Sequence, residues 1–313
     1  MTDKTTEENQ NAIILLLRCT RPRQWTKNLI AYTPAIFAGQ ITDSATFIAT
    51  TACFFALCLA SAAVYIINDL LDLKSDKLHP TKKQRPIASG AVSPKLAAVL
   101  ACLLGMLSLV IAYFIRPSLT LAIITYLIVS LFYSTTFKHL PIMDVLAISF
   151  NFVLRACAGA LAANVPVSGW FLLCTSFGAL FLAIEKRRYE LKLLGKDAAA
   201  HRKSLDHYTP DLINRMEALI VSTLVASYAM YGFLSIHGQW MMLTIPFVVY
   251  GVMRYQNLSA MGALTGNPEE ILLKDRVIQV TILLWLITCL LIVYGLLPAV
   301  TSSIIESVDK LRL

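Results

Sequence analysis

The stretch "NDLLDLKSD" at residues 68–76 sets Asp69, Asp72 and Asp76 at intervals of three and four. On a helix turning about 100° per residue these positions fall within about 60° of one another, with Asn68 one step further on. One face then presents three carboxylates and an amide, which repel one another unless cations sit among them. Oxygen ligands clustered without His or Cys favour Mg2+, which typically takes one or two protein carboxylates and completes its shell with substrate phosphates. The plainer alternative is a solvated helix end whose acids pair with Lys74 and Lys77. In-register spacing at a membrane boundary favours the metal. Directly downstream, "HPTKKQRP" supplies Lys82, Lys83 and Arg85. Carboxylates for a metal beside cations for phosphate oxygens is an arrangement that holds a polyphosphate. By themselves, the cations also fit a basic loop touching lipid head groups.

Further features point to the same face. Arg21, Arg23 and Lys27 open the first apolar stretch, Tyr133 and Lys138 lie in "YSTTFKH", and Lys274, Asp275 and Arg276 form "KDR". Each alone is more often a membrane-edge anchor than a ligand. Arg155 differs, standing alone among the cations of the apolar run "DVLAISFNFVLRACAGALAA". A lone intramembrane arginine is expected to face the bundle interior or a wet cavity, and Asp144 is too far along the same helix to partner it.

The elements that must position these residues are membrane helices. The chain has 313 residues, 57% hydrophobic and 15% charged, with a mean hydropathy of +0.66. Soluble proteins are about a quarter charged, so a single soluble domain is excluded. Apolar runs of roughly 20 residues recur along almost the whole length. They predict an all-α, polytopic bundle of nine transmembrane helices near 22–40, 44–71, 94–115, 118–137, 142–163, 168–186, 210–236, 239–256 and 276–298. Ser93 before Pro94 and Thr209 before Pro210 are cap-and-proline starts, whereas Pro34 and Pro246 fall inside spans and are expected to kink them.

Of the 27 Lys and Arg, all but Arg116, Arg155, Lys310 and Arg312 fall on one side of this topology. That asymmetry predicts a cytoplasmic N-terminus and an active face toward the cytoplasm of a plasma (inner) membrane. It also accounts for the net charge of +8 without a nucleic-acid partner. The expected organisation is one integral-membrane domain over 1–313. It comprises a polar segment at 1–20, without a cleavable signal, and loops at 72–93 and 187–209 roofing one cavity. Both loops follow a helix that ends in acidic residues, which suggests a duplicated four-helix plan. The seven cysteines are scattered, without C-x-x-C pairs, and read as small core residues.

"NDLLDLKSD" followed by "HPTKKQRPIASGAVS" resembles the first aspartate motif (N-D-x-x-D-x-x-x-D) and adjoining loop of the UbiA-type intramembrane prenyltransferase superfamily. The resemblance implies a nine-helix bundle with a Mg2+-dependent cytoplasmic site. Within the superfamily, "RPRQWTKNLIAYTPAIFAG", "NDLLDLKSDKLHPTKKQRPIASG", "EKRRYELKLL…RKSLDHYT" and "GNPEEILLKDRVIQ" resemble the branch of decaprenyl-phosphate phosphoribosyltransferases. One departure discriminates. Where aromatic prenyltransferases of the superfamily carry a second pair of aspartates, this chain has "EKRRYEL". Its added cations suit a donor with a further phosphate.

The resemblance implies transfer of 5-phosphoribose from phosphoribosyl pyrophosphate to a polyprenyl phosphate, for a cell-envelope glycan precursor. Mg2+ on Asp69, Asp72 and Asp76, with Lys82, Lys83 and Arg85, would hold the pyrophosphate. Lys186, Arg187 and Arg188 would take the 5-phosphate, and Glu190 a ribose hydroxyl or a second metal. Arg155, Tyr133 and Lys138 would place the acceptor phosphate. Lys27, Asn68, Asp275 and Arg276 complete the expected substrate contacts. The alternatives are a polyprenyl diphosphate:4-hydroxybenzoate-type prenyltransferase using the same aspartates, and a lipid-binding or transport protein. Transporters usually place their ionisable groups near the midplane; here they gather at one surface.

Overall fold

The computed structural model describes residues 14–79, 81–194, 203–261, 274–297 and 299. Regular structure among them is entirely helical. The longer helices are α1 (Ser44–Leu71), α2 (Pro94–Ile115), α3 (Pro117–Thr135), α4 (Met143–Ala163), α5 (Gly169–Leu194), α6 (Pro210–Phe233), α7 (Ile245–Ala260) and α8 (Arg276–Val293). All but α7 are long and apolar enough to cross a membrane, making seven such helices among the described residues. Their starts are chemically marked. Asp43, Ser93, Thr209 and Asp275 each accept, through a side-chain oxygen, the backbone N–H three residues on. These bonds satisfy donors that a helix N-terminus leaves unpaired.

The two remaining expected spans take another form. Residues 22–40 hold a 3-10 helix, Pro22–Tyr32, and a short α-helix, Thr33–Phe37; residues 239–256 hold the end of a 3-10 helix, Gly238–Thr244, and most of α7. In both, the α-helix begins with a proline in its second position, Pro34 or Pro246. Proline has no N–H for the preceding turn and is pre-shaped for a helix start, so it divides the span instead of kinking it. α5 differs in the opposite sense, running to Leu194, past the boundary expected at 186. Glu, Lys, Arg and Leu are good helix formers. Arg188–Glu185 and Arg187–Glu190 ion pairs, each spaced by three, brace the extension.

Contacts divide the chain into two compact units. The first comprises Met1–Ala35, Thr42–Lys138 and Leu154–Val165, the second Ile36–Ile41, His139–Val153 and Pro166–Leu313. In the first, α2 packs on α1 through Ala97, Ala101, Ser108 and Ala112, which recur at helical spacing and are all buried. Ser108 Oγ donates to the Ala56 carbonyl at 2.8 Å. The opposite face of α2 exposes Val99, Leu103, Met106, Val110 and Phe114. In water such a patch would drive aggregation, but against lipid tails it needs no cover. Small residues on the protein side let helices approach closely where lipid removes the hydrophobic drive to associate. In the second unit, Val145, Leu180, Phe181, Ile184, Leu205, Tyr208 and Ile213 form the main buried cluster.

The tightest approach is at Gly159 of α4, where a Cβ would overlap the Ala31 carbonyl group. Gly159→Ala is therefore expected to force backbone apart and to cost about 1–3 kcal/mol of stability, read as a lower melting temperature in detergent. Gly178→Ala, inside α5 with nothing within 4 Å of the added carbon, is the control, expected to leave the melting temperature unchanged or slightly raised.

Candidate active site

The last turn of α1 delivers Asn68 and Asp69, and the helix stops at Leu71. Asp72 caps it at φ −89°, ψ 5°, and a second, six-residue helix, Leu73–Leu78, carries Asp76. The break at Asp72 leaves the three acids in different surroundings. Asp69 and Asp76 are 4% and 2% exposed, whereas Asp72 is half-buried.

Each acid has met a cation. Arg85 NH1 donates to Asp69 Oδ1 at 3.0 Å and to Asp76 Oδ2 at 2.6 Å, bridging the pair. Arg21 donates to the same Asp69 oxygen, with its guanidinium 5.2 Å from the centre of the Tyr65 ring. Lys138 Nζ reaches Asp72 Oδ1 at 2.7 Å, and Asn68 Nδ2 reaches Asp72 Oδ2 at 3.1 Å. The partners are thus Arg21, Arg85 and Lys138, brought from three other parts of the chain, and not the neighbouring Lys74 and Lys77. A buried carboxylate without such a partner would carry several kcal/mol of desolvation cost.

The loop bearing Arg85 is itself anchored. Arg85 N–H bonds to the Lys82 carbonyl at 3.0 Å, Ser89 N–H to the Arg85 carbonyl at 2.9 Å, and Val92 N–H to the Pro86 carbonyl at 2.9 Å. Gly90, at φ 82°, turns the chain so that Ile87 and Val92 insert beside Ile66, Ala97 and Ala101. "PIASGAV" is therefore an apolar plug that fixes the arginine. Lys82 and Lys83 stand exposed on the preceding turn, with no ion pair among the described residues.

Among the described residues no three acidic, His or Cys side chains converge as a metal cage. Asp69 and Asp76 nonetheless converge on one positive group, the Arg85 guanidinium, with Asp72 and Asn68 on the same short stretch. Mg2+ needs only one or two protein carboxylates when substrate phosphates complete its shell. An all-oxygen pair already gathered around positive charge fits that ion.

Arg155 is 6% exposed, and its guanidinium lies 4.8 Å from the centre of the Tyr126 ring. Its Nε donates to Asn28 Oδ1 at 2.8 Å and NH2 to Tyr126 OH at 3.0 Å. Ser61 joins Tyr126 OH at 3.1 Å, closing a polar net inside the first unit. Lys27 is next to Asn28 on the 3-10 helix and is half-buried, as is Tyr133 near the end of α3. Between α1, α2 and α3 lies an apolar cavity of about 370 Å³, lined by Ala63, Ile67, Leu70, Ala98, Gly105 and Leu131 among others. It reaches Leu70, two residues before Asp72, and Ser134, four before Lys138.

In the second unit, the charged end of α5 is a dense ion-pair network. Arg187 is fully enclosed, with Nε 3.0 Å from Asp144 Oδ2 and NH1 bonded to Glu190. Arg188 binds Glu185 Oε1 at 2.9 Å, Asn214 Oδ1 at 2.8 Å and Glu217. Lys186 is half-buried beside them. Asp144 also accepts Tyr208 OH at 2.7 Å and Ser204 Oγ at 3.1 Å. Burial, and then the bond to Asp144, push the Tyr208 hydroxyl above the ordinary tyrosine value, so it keeps its proton and donates. Asp275 caps α8 and pairs with Arg254 at 2.9 Å, while Arg276 is exposed.

Sequence reasoning placed Arg21 on the site face without pairing it to Asp69, and it passed over Asp144, Tyr208 and Glu217 as site residues. Asp144 had a usable signal, an acid at the head of an apolar span; the others had none stronger than residue type. Residues 1–13, 195–202 and 262–273 lie outside the described residues. So do most of the polar N-terminal segment, part of the 187–209 loop, and most of "GNPEEILLKDR".

Comparison with known proteins identifies the family. A model of the UbiA prenyltransferase family matches residues 29–262. The decaprenyl-phosphate phosphoribosyltransferase of Mycolicibacterium smegmatis is 38% identical over 293 residues, 88% of this chain and 92% of the relative. Its namesake in Mycobacterium tuberculosis is 36% identical, over 91% of this chain and 96% of the relative. Among solved structures, a UbiA homolog from Archaeoglobus fulgidus bound to GPP and Mg2+ superposes with a TM-score of 0.70 at 21% identity. It covers 90% of this chain and 99% of that one.

Arg85→Ala is expected to cost about 3–5 kcal/mol, because it removes the shared cation from two nearly inaccessible carboxylates. Lys82→Ala, at an exposed position without an ion pair, is expected to stay within about 0.5 kcal/mol of wild type. Thermal unfolding of the two variants side by side measures the contrast.

Proposed function

We propose that this chain, which belongs to the UbiA prenyltransferase family, moves 5-phosphoribose from phosphoribosyl pyrophosphate to a polyprenyl phosphate, releasing pyrophosphate. It is a multi-pass membrane transferase of the decaprenyl-phosphate phosphoribosyltransferase type. Likeness to relatives of that name over about nine-tenths of the chain carries the identity of the donor. The acid pair Asp69 and Asp76, gathered on Arg85 beside exposed Lys82 and Lys83, supports the chemistry.

Asp69, Asp72 and Asp76 are assigned as the residues that would hold Mg2+, which when bound would supply positive charge for the leaving pyrophosphate. Lys82 and Lys83 meet the remaining pyrophosphate charge, and Arg85 keeps the acids in register. As the bond to pyrophosphate lengthens, C1 takes on oxocarbenium character, and an oxygen of the lipid phosphate attacks it. That oxygen is already anionic, so the reaction needs no general base. Lys138, Tyr133 and Arg155 are assigned to the acceptor phosphate, with Lys27, Asn68, Asp275 and Arg276 as further substrate contacts.

The cavity lined by Ile67 and Leu131 offers an apolar path for the isoprenoid chain beside that position. Lys186 and Arg188 are assigned to the donor 5-phosphate and Glu190 to a ribose hydroxyl. Arg187, fully enclosed, contributes by orienting Glu190. The Lys and Arg asymmetry supports a cytoplasmic N-terminus and an active face toward the cytoplasm of the plasma membrane, and likeness to the decaprenyl-phosphate phosphoribosyltransferases supports a role in making a cell-envelope glycan precursor.

The test is incubation of purified protein with Mg2+, labelled phosphoribosyl pyrophosphate and a polyprenyl phosphate. Label is expected in the organic phase. No transfer there, with prenylation of an aromatic acid from a polyprenyl diphosphate instead, would replace the proposed donor. Asp72→Ala is expected to lower turnover by about 10²-fold or more, and chelation to abolish transfer until Mg2+ is restored. Near-normal turnover in that variant would remove Asp72 from the metal set.

A further inference from the structure

At the entry to α4, Ile142 sits at φ 68°, a left-handed conformation that branching at Cβ disfavours strongly. Glycine is the ordinary residue for such a position. The conformation is held from outside, because the Ile142 N–H donates to Tyr208 OH at 2.8 Å. The same hydroxyl donates to Asp144 Oδ1 at 2.7 Å. One phenol oxygen therefore joins the strained turn to an acid two residues further on.

The other oxygen of that acid, Asp144 Oδ2, accepts Ser204 Oγ at 3.1 Å and lies 3.0 Å from Arg187 Nε. Arg187 continues the chain of contacts to Glu190. The 203–208 turn, the start of α4 and the charged end of α5 are thus tied together, all within the second unit. The Tyr208 ring packs with Val145, Leu205 and Ile213 as a phenylalanine would. Only its hydroxyl makes the tie.

We propose that Tyr208 is a positioning residue for the transfer reaction, holding Ile142 in its left-handed turn and Asp144 against Arg187, so that Arg187 keeps Glu190 aimed at the donor. The inference rests on the reading that this end of α5 serves the ribosyl phosphate of the donor. Strain is retained at a position only where the surroundings over-determine it, and such positions gather around functional sites. Backbone bonds close the turn locally, from Met143 N–H to the Pro141 carbonyl at 2.8 Å and from Asp144 N–H to the Leu140 carbonyl at 3.1 Å, and the Tyr208 hydroxyl adds the side-chain hold on the Ile142 N–H. Because that hydroxyl also fixes the acid facing an enclosed arginine, its loss is expected to be felt in the aim of the charged groups.

The test separates aim from stability. Tyr208→Phe keeps the ring and removes both bonds of the hydroxyl, to the Ile142 N–H and to Asp144 Oδ1. Its KM for the donor is expected to rise about tenfold, with the KM for the polyprenyl phosphate unchanged. A merely structural role would lower the active fraction and leave both KM values alone. Adding Ile142→Gly supplies a residue that adopts φ 68° unaided, and is expected to bring the donor KM back toward wild type.

Unchanged KM values in Tyr208→Phe, an equal change in both, or no recovery in the double variant would overturn the proposal. If Tyr208→Phe does not fold, Ile142→Gly alone decides. Wild-type donor KM with an undiminished melting temperature supports the strain, and a lowered melting temperature refutes it. Should the wild type use a different diphosphate donor, the functional reading fails while the role of Tyr208 is scored on the KM for that donor.

Discussion

Carboxylates placed where a membrane helix ends must be neutralised, and the architecture around Asp69 and Asp76 follows from that requirement. One guanidinium, Arg85, lies within hydrogen-bond distance of both, and its own position depends on a loop held down by Ile87 and Val92. A buried ion pair of this kind is seldom a net gain over apolar packing. Its retention is better understood as pre-organisation: two acids are kept paired with one cation, close together and almost dry, beside two lysines left for an anion. The same carboxylates that cost free energy in the resting protein are what a divalent ion and a pyrophosphate require.

The second unit solves a similar problem differently. Arg187 and Arg188 are not loose cations on a loop. α5 continues through them, and Asp144, Glu185, Glu190 and Glu217 clasp them from three helices. A rigid helical base with charged side chains already oriented loses less entropy on binding than a loop that must order. Fixed dipoles and charges of this sort serve transition-state stabilisation because they need no reorganisation when the bond breaks.

Much of this was legible in the sequence. Local rules located α1 and α2 and the Ser93 and Thr209 caps, since apolar runs and cap chemistry act over a few residues. The aspartate spacing and its basic neighbours marked the chemistry, and the motif resemblance led to the family that the comparisons support. What escaped was long-range or a matter of balance. No spacing rule pairs Arg21 with Asp69, 48 residues away, or Tyr208 with Asp144, 64 away. Whether "EKRRYEL" is loop or helix depends on ion pairs formed within and beyond it, and hydropathy is silent on those. The two proline-bearing spans were divided because a proline can begin a helix as readily as kink one, and the sequence alone does not say which.

The central claim is that Asp69, Asp72 and Asp76 hold pyrophosphate through a divalent ion. Calorimetric titration of pyrophosphate into the purified protein, with and without Mg2+, measures this without any turnover. The account predicts tight binding only when Mg2+ is present, lost in Asp69→Asn. Equal affinity without the ion, or undiminished Mg2+-dependent binding in the variant, would contradict it.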